Sequence, residues 1–397
     1  MNMKDSVKNV LQAVLYSKPL YASMRRRALS YGSTCVSGAK QILETISPRP
    51  ACPLVSASPP PDISTDISVI VPVYNVQSYV GACLESILAQ DVPATMEVIV
   101  VVDGSTDGSE AIARDAAARD GRLRVIVQSN LGLSAARNTG IAAARGRWIA
   151  FVDSDDMLAA GHLAALVERM RVGDCDIVGS RWTKMHEDGS IGELGERKRT
   201  YMAPWGRLYH RRVWERLRFP VGCWYEDLVT PCCIQPLFHE VLIDDAGYLY
   251  RSRPGSIVKE SVFNPRALDA YWAFDEMLSW RRELGITYGA ADWARFLYIM
   301  GPLTMGRTMF LDDASRRALF TALCDTAESL KELSGVHVED SGYWCDLELA
   351  IRSRHYELWC LASAALARET HGVRMTAAWK IYRQARAESN RAFRAVK

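Results

Sequence analysis

Three carboxylates stand within four residues at the end of an apolar segment, Trp148-Ile-Ala-Phe-Val-Asp153-Ser-Asp155-Asp156. The apolar part predicts a buried strand. Successive side chains of a strand alternate between its faces, so we expect Asp153 and Asp155 to point the same way. Carboxylates this close repel one another, and Mg²⁺ or Mn²⁺ carrying substrate phosphates suits such oxygen ligands. The alternative interpretation is an acidic, solvated turn after a strand.

The residues upstream alternate between predicted strands and predicted helices. The predicted strands are short and apolar on both faces, as in a sheet covered by helices on each side: Ile67–Val73, Glu97–Val102, Arg122–Gln128 and Arg147–Val152. The helices predicted between them are Tyr79–Gln90, Asp107–Asp120 (capped by Asp107 and closed by Gly121) and Leu133–Arg145. This alternation predicts an α/β fold with a doubly wound, mostly parallel sheet.

Three of the predicted strand ends carry polar residues: Pro72-Val-Tyr74-Asn75, Asp103-Gly-Ser-Thr-Asp107 and Asp153-Ser-Asp155-Asp156. In parallel sheets ligands bind beyond the carboxyl ends of the strands, so we expect these three segments to converge on one crevice. The second segment also has a structural explanation, since glycine permits a tight turn and Asp107 caps a helix whatever the ligand is.

The stretch from Ile67 to about Ile257, roughly half of the chain, resembles glycosyltransferase family 2, the inverting nucleotide-sugar transferases of the GT-A fold. Each motif is weak alone, but the series is specific because order and spacing are those of the family. The motifs are Val-Pro72-Val-Tyr74-Asn75, Leu84-Glu-Ser86-Ile-Leu-Ala-Gln90, Asp103-Gly-Ser-Thr-Asp107-Gly, Asn130-Leu-Gly-Leu-Ser134-Ala-Ala-Arg137-Asn138-Thr-Gly140 and Asp153-Ser-Asp155-Asp156.

The resemblance implies a nucleotide-sugar donor, with UDP as the expected nucleotide, and Mn²⁺ or Mg²⁺ as cofactor. Asp103 would accept the uracil N3 hydrogen, Asp153 would contact ribose or a metal-bound water, and Asp155 would ligate the cation that bridges the diphosphate. Many members have two acids before the Gly-Ser, whereas this chain has Val102-Asp103. The implied donor-binding residues are Pro72, Tyr74, Asn75, Asp103, Ser105, Arg137, Asn138, Asp153, Ser154, Arg251, Arg253 and Ser256, with Asp155 and Asp153 at the metal.

Two further segments resemble the acceptor-side motifs of the family: Trp205-Gly-Arg207-Leu-Tyr209 and Phe219-Pro-Val-Gly222-Cys-Trp-Tyr-Glu226-Asp227-Leu-Val-Thr230. In the family the second acid of the Glu-Asp pair is the catalytic base, which implies Asp227 here, with Trp205, Arg207 and Glu226 on the acceptor side. An inverting transfer is a single displacement, so a carboxylate must take the proton of the attacking hydroxyl. Taken alone, a Glu-Asp pair is also typical of a helix N-terminus.

The segment Tyr248-Leu-Tyr250-Arg251-Ser-Arg253-Pro-Gly-Ser256-Ile257 matches a family loop that closes over the diphosphate. Arg251 and Arg253 can supply the charge-assisted hydrogen bonds that such a lid needs. A plain basic turn is the competing interpretation.

Charge is unevenly distributed along the 397 residues, and the total of +2 conceals this. Residues 1–60 and 374–397 each carry a net charge of +6, and the body between them carries −10. We predict five parts: a basic amphipathic helical extension (1–47), a Pro-rich linker (48–65), a GT-A catalytic domain (66–260), a helical module (261–372) and a basic amphipathic C-terminal helix (373–397). The basic ends predict peripheral contact with an anionic membrane, and self-packing helices are the alternative.

Composition favours a cytoplasmic enzyme. The separation of charge predicts that it works at the inner face of the cell membrane on a membrane-bound acceptor such as a lipid-linked glycan, and the family resemblance implies a part in polysaccharide biosynthesis for the cell envelope. No run of about 20 apolar residues occurs, residues 1–16 lack the core of a signal peptide, and ten scattered cysteines show no metal-ligand spacing. No nucleic-acid partner is expected. A nucleotidyltransferase or dinucleotide oxidoreductase would need a Gly-rich loop where Tyr74-Asn75-Val-Gln stands. The remaining alternative is a non-catalytic protein that binds a nucleotide sugar or glycan.

Overall fold

The computed structural model describes residues 18–54, 62–195, 202–253, 264–339 and 342–371. The chain divides into two compact units. The unit that contains the predicted site residues comprises Pro50–Ser256 and Glu276–Ile286. The other unit is helical in its described part and comprises Met1–Arg49, Ile257–Asp275 and Thr287–Lys397.

The strands of the first unit are β1 Thr65–Val73, β2 Met96–Asp103, β3 Leu123–Gln128, β4 Gly146–Phe151, β5 Met157–Leu158, β6 Ile177–Gly179, β7 Trp182–His186, β8 Ile191–Gly195, β9 Arg207–His210, β10 Glu240–Leu242 and β11 Tyr248–Ser252. Seven of them form one sheet in the order β10-β6-β9-β4-β1-β2-β3. Within this sheet β9 alone runs antiparallel to its neighbours β4 and β6. The predicted fold class, α/β with a mostly parallel sheet and a helical part after it, is confirmed.

The centre of this sheet is the most buried part of the unit. Every residue of β1 from Ile67 to Val73 is buried, as is β2 from Val98 onward, because helices cover both faces of these strands. The flanking helices are Val80–Leu88, Ser109–Arg119, Leu133–Ala143 and His162–Met170. The strands and helices predicted before residue 153 lie within two residues of the observed bounds.

One detail of the helix prediction is wrong. The second helix begins at Ser109, so Gly108 and not Asp107 is its capping residue. The Asp107 carboxylate nevertheless accepts a hydrogen bond from the Ser109 amide at 3.0 Å and another from the Gln77 amide at 3.0 Å. Asp107 therefore holds the helix start and the loop after β1 together, which a cap alone would not do.

Four short strands form a second sheet in the order β5-β11-β7-β8. Strand β5 follows the Asp153–Asp156 segment almost directly, and it pairs antiparallel with β11. Strand β11 in turn pairs in parallel with β7, with Tyr248 opposite Trp182 and Tyr250 opposite Lys184. This sheet thereby brings the region of Arg251 back to the carboxylate segment.

The remaining described helical segments are Lys18–Ala28, Ala39–Ile46, Val213–Arg216, Glu226–Leu228, Thr230–Ile234, Gln235–Leu237, Pro265–Leu268, Asp269–Glu283, Ala290–Tyr298, Ile299–Leu303, Thr304–Arg307, Asp313–Ser329, Lys331–Leu333, Tyr343–Arg352 and Tyr356–His371. Thr230–Ile234 and Ile299–Leu303 are π-helical turns. Trp272, Trp280, Trp293 and Trp359 are all buried.

The helix Lys18–Ala28 is packed within the helical unit. The Tyr21 hydroxyl donates to Asp346 at 3.0 Å, and the Arg25 guanidinium donates to the other oxygen of Asp346 at 2.6 Å. Met24 and Ala28 are buried on the same helix, while Arg26 and Arg27 are exposed. For this helix the packing interpretation therefore applies.

The rest of the predicted basic ends, residues 1–17 and 372–397, lies outside the described residues, as do residues 55–61 of the Pro-rich segment. In the part of the chain that the structure describes, no helix combines the length and apolar character needed to cross a membrane.

Candidate active site

The loops after β1 and β2 are tied together at the carboxyl edge of the sheet. The Asn75 amide donates to Ser105 Oγ at 3.2 Å, and Asn75 Oδ1 accepts from the Thr106 amide at 2.8 Å. Asn75 has a φ of +49°, a left-handed conformation that Asn tolerates better than most residues. Its neighbour Tyr74 is 48% exposed, whereas Pro72 is buried within β1.

Asp103, the last residue of β2, organises the segment that leads into the third helix. Its carboxylate accepts hydrogen bonds from Gln128 Nε2 at 2.7 Å, from the Leu131 amide at 2.9 Å and from the Gly132 amide at 2.8 Å. Gly104 lets the chain turn here, since its φ is +67° and a Cβ would lie 2.6 Å from the backbone nitrogen of Asn130. The base-reading role of Asp103 stays a prediction.

Arg137 lies in the middle of the candidate site. Its side chain is only 2% exposed, yet it makes two ion pairs: Nη2 lies 2.8 Å from Asp153 Oδ1, and Nη1 lies 2.6 Å from Glu226 Oε1. The two partners belong to the two motifs that the sequence assigns to opposite sides of the reaction. One buried cation thus joins the donor-side segment to the acceptor-side segment.

Asn138 holds the same acceptor-side segment from the next position of the helix. Its amide nitrogen donates to the Phe219 carbonyl at 2.8 Å, and its amide oxygen accepts from the Phe219 N–H at 2.9 Å. The Arg137 guanidinium also lies 5.3 Å from the centre of the Phe219 ring. Both polar groups of Asn138 are therefore engaged by the backbone, and its predicted contact with the donor remains a prediction.

The Glu226-Asp227 pair stands on a short 3₁₀ turn, Glu226–Leu228, directly before the π-helical turn. The preceding residue, Tyr225, is buried and has a φ of +64°, which costs energy for a bulky residue. Such strained positions persist where the surrounding structure holds them, and they occur often at functional sites. The backbone that presents Asp227 is thus held by the Arg137–Glu226 pair on one side and by buried packing of Tyr225 on the other.

The three carboxylates of the opening motif lie in a turn and not on a strand. β4 ends at Phe151, and the Asp156 amide donates to the Asp153 carbonyl at 2.9 Å. The argument from strand alternation is therefore wrong for Asp153 and Asp155, because the turn sets their directions. Ser154 is buried in the same turn.

Asp156 anchors this turn to β11. Its two oxygens accept from the Tyr248 hydroxyl at 2.7 Å and from the Arg251 amide at 2.8 Å. The Tyr248 hydroxyl also accepts from the Asp153 amide at 3.2 Å. Sequence reasoning missed this role for Tyr248 and Asp156, although both residues stood in the quoted motifs.

Negative charge is in excess around the turn. Burial, followed by repulsion from Asp155 and Asp153, raises the pKa of Asp156 well above its usual range. Burial also raises the pKa of Asp153, with the Arg137 guanidinium opposing it and Asp155 adding to it. Arg137 therefore does not remove the repulsion among these carboxylates, and a further cation would relieve it.

Arg251 and Arg253 both reach Asp155. Arg253 Nε donates to Asp155 Oδ2 at 2.5 Å, and Arg251 Nε donates to the Asp155 carbonyl at 2.8 Å. Each guanidinium lies 5.4 Å from the centre of the Tyr79 ring, a cation–π arrangement that the sequence did not suggest. Ser256, predicted to follow them in the same loop, lies outside the described residues.

The donor set of the turn fits a divalent cation of the magnesium or manganese type. Asp155 and Asp153 offer carboxylate oxygens, and such ions are commonly bound by one or two carboxylates together with substrate phosphates and water. Among the described residues no group of three or more His, Cys, Asp or Glu side chains is arranged as a metal site.

Two residues predicted on the acceptor side, Arg207 and Trp205, contact residues of β10 and β11. Arg207 is buried in β9, where its Nε lies 2.8 Å from Glu240 Oε1 on β10. Trp205 is half-buried and stacks on Tyr248 with ring centres 4.4 Å apart. Their predicted contacts with an acceptor are untested by this geometry.

Comparison with known proteins agrees with the motifs. A family model described as Glycosyl transferase family 2 matches residues 68–225. GlyG, a glycosyltransferase of Streptococcus pneumoniae serotype 4, is 31% identical over 236 residues, which cover 53% of this chain and 76% of GlyG. EpsJ, an uncharacterized glycosyltransferase of Bacillus subtilis strain 168, is 35% identical over 229 residues, 49% of this chain and 63% of EpsJ.

The chain spans only part of several curated relatives, less than two thirds of EpsJ and 32% of another. Among solved structures, S. aureus TarS 1–349 in complex with UDP aligns with a TM-score of 0.47 and 18% identity, over 76% of this chain and 91% of that one. From the family match and the GlyG similarity together, the predicted family is confirmed: the chain belongs to glycosyltransferase family 2.

Proposed function

We propose that this chain is an inverting, metal-dependent glycosyltransferase that moves a sugar from a UDP-sugar to a hydroxyl acceptor. The observation that carries the proposal is the buried Arg137, whose ion pairs hold Asp153 and Glu226 in one site. A displacement needs charge stabilisation at the leaving group and a base at the nucleophile. Asp153 belongs to the same turn as Asp155, which is assigned to the metal. Glu226 directly precedes Asp227, which is assigned as the base.

Uridine recognition is assigned to the loops after β1 and β2. Asp103 accepts three hydrogen bonds from protein donors, and an ionised carboxylate has about four lone-pair sites. One site therefore remains for the N3 hydrogen of uracil. Tyr74, which directly follows β1, is half exposed and offers an aromatic face to a base.

The diphosphate is assigned to the turn at Asp155. A divalent ion held by Asp155 and Asp153 would stabilise the negative charge that develops on the leaving diphosphate. Arg251 and Arg253 add charge-assisted donors within reach of the same turn. Because these arginines contact Asp155 directly, their contacts must rearrange when a diphosphate takes part of the site.

The base is assigned to Asp227. The acceptor oxygen forms its bond to the anomeric carbon as the bond from that carbon to the diphosphate oxygen breaks, and Asp227 takes the hydroxyl proton. The neighbouring carboxylate of Glu226 is engaged by Arg137 at 2.6 Å, which favours Asp227 for proton transfer. The role of Glu226 is then to fix the turn that presents Asp227.

A second candidate function is a protein that binds a nucleotide sugar or glycan without turnover. It is disfavoured because the chain keeps carboxylates at both Asp155 and Asp227, where binding alone would not require a base. Hydrolysis of UDP-sugars with Mn²⁺ discriminates the two functions, since slow transfer to water requires catalysis but no acceptor.

The acceptor is assigned to a membrane-associated glycan, such as a lipid-linked one, at the cytoplasmic face. One relative, 32% identical over 249 residues, carries the name succinoglycan biosynthesis protein ExoO, and assembly of that class of polymer supports a glycan acceptor. The net charge of +6 at each end supports attraction to anionic lipid, and Arg26 and Arg27 of the first described helix are exposed.

Two substitutions separate the metal from the base. Asp155→Ala is expected to abolish Mn²⁺-dependent UDP binding, measured by calorimetry. The fold should persist, because removal of the Asp155 carboxylate relieves repulsion among the carboxylates of the turn.

Asp227→Asn is expected to keep UDP binding but to lose roughly 10²- to 10⁴-fold in transfer, because an amide cannot take the proton. Asp115→Ala, an exposed partner of Arg119, is the matched control. Undiminished metal-stimulated binding in the first variant, or near-native turnover in the second, contradicts the assignment.

Arg137→Lys tests the bridge between the two sides. A single ammonium group cannot match the fork geometry that contacts Asp153 and Glu226 at once, so we expect kcat to fall by about 10²-fold from misplacement of the base. The donor KM should change far less, because the donor-side carboxylates remain. Arg114→Lys, in an exposed pair with Glu110, should change neither. An Arg137→Lys enzyme with native kcat, or with a loss confined to KM, would show that the bridge does not position the base.

Membrane contact is tested by sedimentation with anionic vesicles at low and high salt. We expect the full chain to bind at low salt and to release at high salt, since screening weakens charge attraction beyond about one Debye length. A version that lacks residues 374–397 and carries Arg26→Gln and Arg27→Gln should bind less. Arg26 and Arg27 are exposed, so these substitutions leave the packing of the helix Lys18–Ala28 through Tyr21 and Arg25 in place. Absence of binding by the full chain, or unchanged binding by this version, argues for packing or oligomerisation of the ends.

A further inference from the structure

Gln128, the last residue of β3, contacts the carboxylate that is assigned to the nucleobase. Asp103 and Gln128 are register partners at the ends of β2 and β3. Gln128 Nε2 donates to Asp103 Oδ1 at 2.7 Å, and the Thr139 hydroxyl donates to Gln128 Oε1 at 2.6 Å. Neither Gln128 nor Thr139 has a role in the proposed reaction.

The orientation of the Gln128 amide follows from its two neighbours. An ionised carboxylate only accepts hydrogen bonds, so the group of Gln128 that lies 2.7 Å from Asp103 is its NH₂. The amide oxygen then faces Thr139, whose hydroxyl donates to it. Thr139 belongs to the helix Leu133–Ala143, and it thereby holds the Gln128 amide in the orientation that serves Asp103.

The two oxygens of Asp103 differ in their hydrogen bonds. Oδ1 accepts from Gln128 Nε2 at 2.7 Å and from the Leu131 amide at 2.9 Å. Among the described residues, Oδ2 accepts only from the Gly132 amide, at 2.8 Å. Each oxygen of a carboxylate has about two lone-pair sites. Oδ1 is therefore saturated by the protein, and the remaining acceptor site of Asp103 belongs to Oδ2.

One acceptor site suits a base that presents a single N–H at its edge. Uracil does so, since its N3–H stands between two carbonyl oxygens. Guanine presents N1–H and a 2-amino group side by side, and these pair with both oxygens of a carboxylate at once. With Oδ1 saturated, the 2-amino group would lose its partner, which costs binding free energy. Cytosine has no hydrogen on N3 and would turn a lone pair toward the carboxylate.

We infer that Gln128 is a positioning residue that sets the nucleobase specificity of the donor site. Because Gln128 occupies Oδ1, Asp103 keeps one acceptor site, which accepts uracil and disfavours guanine. Thr139 supports this action by fixing the Gln128 amide. The inference rests on the proposed function, in which Asp103 reads the base, and it adds the residue that decides between two bases that both carry a ring N–H.

The experiment compares the binding of UDP, CDP, GDP and IDP to the full chain with Mn²⁺. The base of IDP, hypoxanthine, keeps the N1–H of guanine but lacks its 2-amino group. The ratio of GDP affinity to IDP affinity therefore reports the second donor and not the space available to a purine. Dissociation constants are measured by calorimetry, with displacement of UDP for weak ligands. The variants are Gln128→Met, Thr139→Val and Thr139→Ser, and Gln41→Met, exposed in the helical unit, is the matched control.

Gln128→Met keeps the length of the side chain but frees Oδ1 of Asp103. We expect the affinity for GDP relative to IDP to rise about tenfold in this variant, while UDP still binds through Oδ2. Thr139→Val should move this ratio in the same direction, because the amide is no longer held. Thr139→Ser keeps the hydroxyl and should leave the ratio native. A purely structural role of Gln128 would lower the affinity for all the nucleotides together.

The inference is overturned if Gln128→Met has the native ratio of GDP to IDP affinity, if neither purine nucleotide binds this variant, or if its affinity for every nucleotide falls in parallel. An equal change in Gln41→Met also overturns it. Failure of the proposed function is seen separately in the native chain, as equal affinity for UDP and CDP, because Asp103 would then not read the ring N–H.

Discussion

The ion pairs of one buried arginine determine the arrangement of the catalytic unit. A guanidinium removed from water must have partners, because an isolated buried charge is strongly unfavourable. Arg137 has two, Asp153 and Glu226, and they come from segments far apart in the chain. Because the same guanidinium contacts both carboxylates, the helix Leu133–Ala143, the Asp153–Asp156 turn and the Glu226–Leu228 turn are held as a group.

In the proposed reaction, the same interaction would let one site meet two opposite requirements. The leaving diphosphate needs positive charge, whereas the attacking hydroxyl needs a base. The positive groups and the carboxylate base would neutralise each other if they were not held apart. Arg137 forms ion pairs with Glu226 and with one oxygen of Asp153, and Arg253 forms an ion pair with Asp155. Asp156 is bound to Tyr248 and to the Arg251 amide, so it acts as an anchor and not as a ligand.

Most of the sheet could be predicted from the sequence because its signals are local. Runs such as Ile67–Val73 are buried on both faces, and their length and flanking turns distinguish strand from helix. The helix that begins at Ser109 was predicted to start two residues too early. The Asp107 side chain accepts hydrogen bonds from both the Ser109 amide and the Gln77 amide in the loop after β1, and it is not the capping residue. The second sheet was not predicted, because strands of two to five residues carry little periodic signal.

The candidate site was predicted as a set of residues but not as a set of contacts. The motifs located Arg137 and Asn138 at the crevice, yet periodicity cannot tell a side chain that meets a ligand from one that binds another loop. Asn138 binds the Phe219 backbone, and Arg207 pairs with Glu240 inside the sheet. These partners come from distant segments, so they depend on the completed fold and have no local signature.

The most direct measurement is a crystal structure of the protein with UDP and Mn²⁺. The account predicts that an Asp155 oxygen coordinates the ion directly, with the diphosphate on the same ion. Arg137 should still bridge Asp153 and Glu226, and the Asp227 carboxylate should face the position of the transferred sugar. An ion bound away from Asp155, or an Arg137 that has left both carboxylates to bind the diphosphate, would contradict the account.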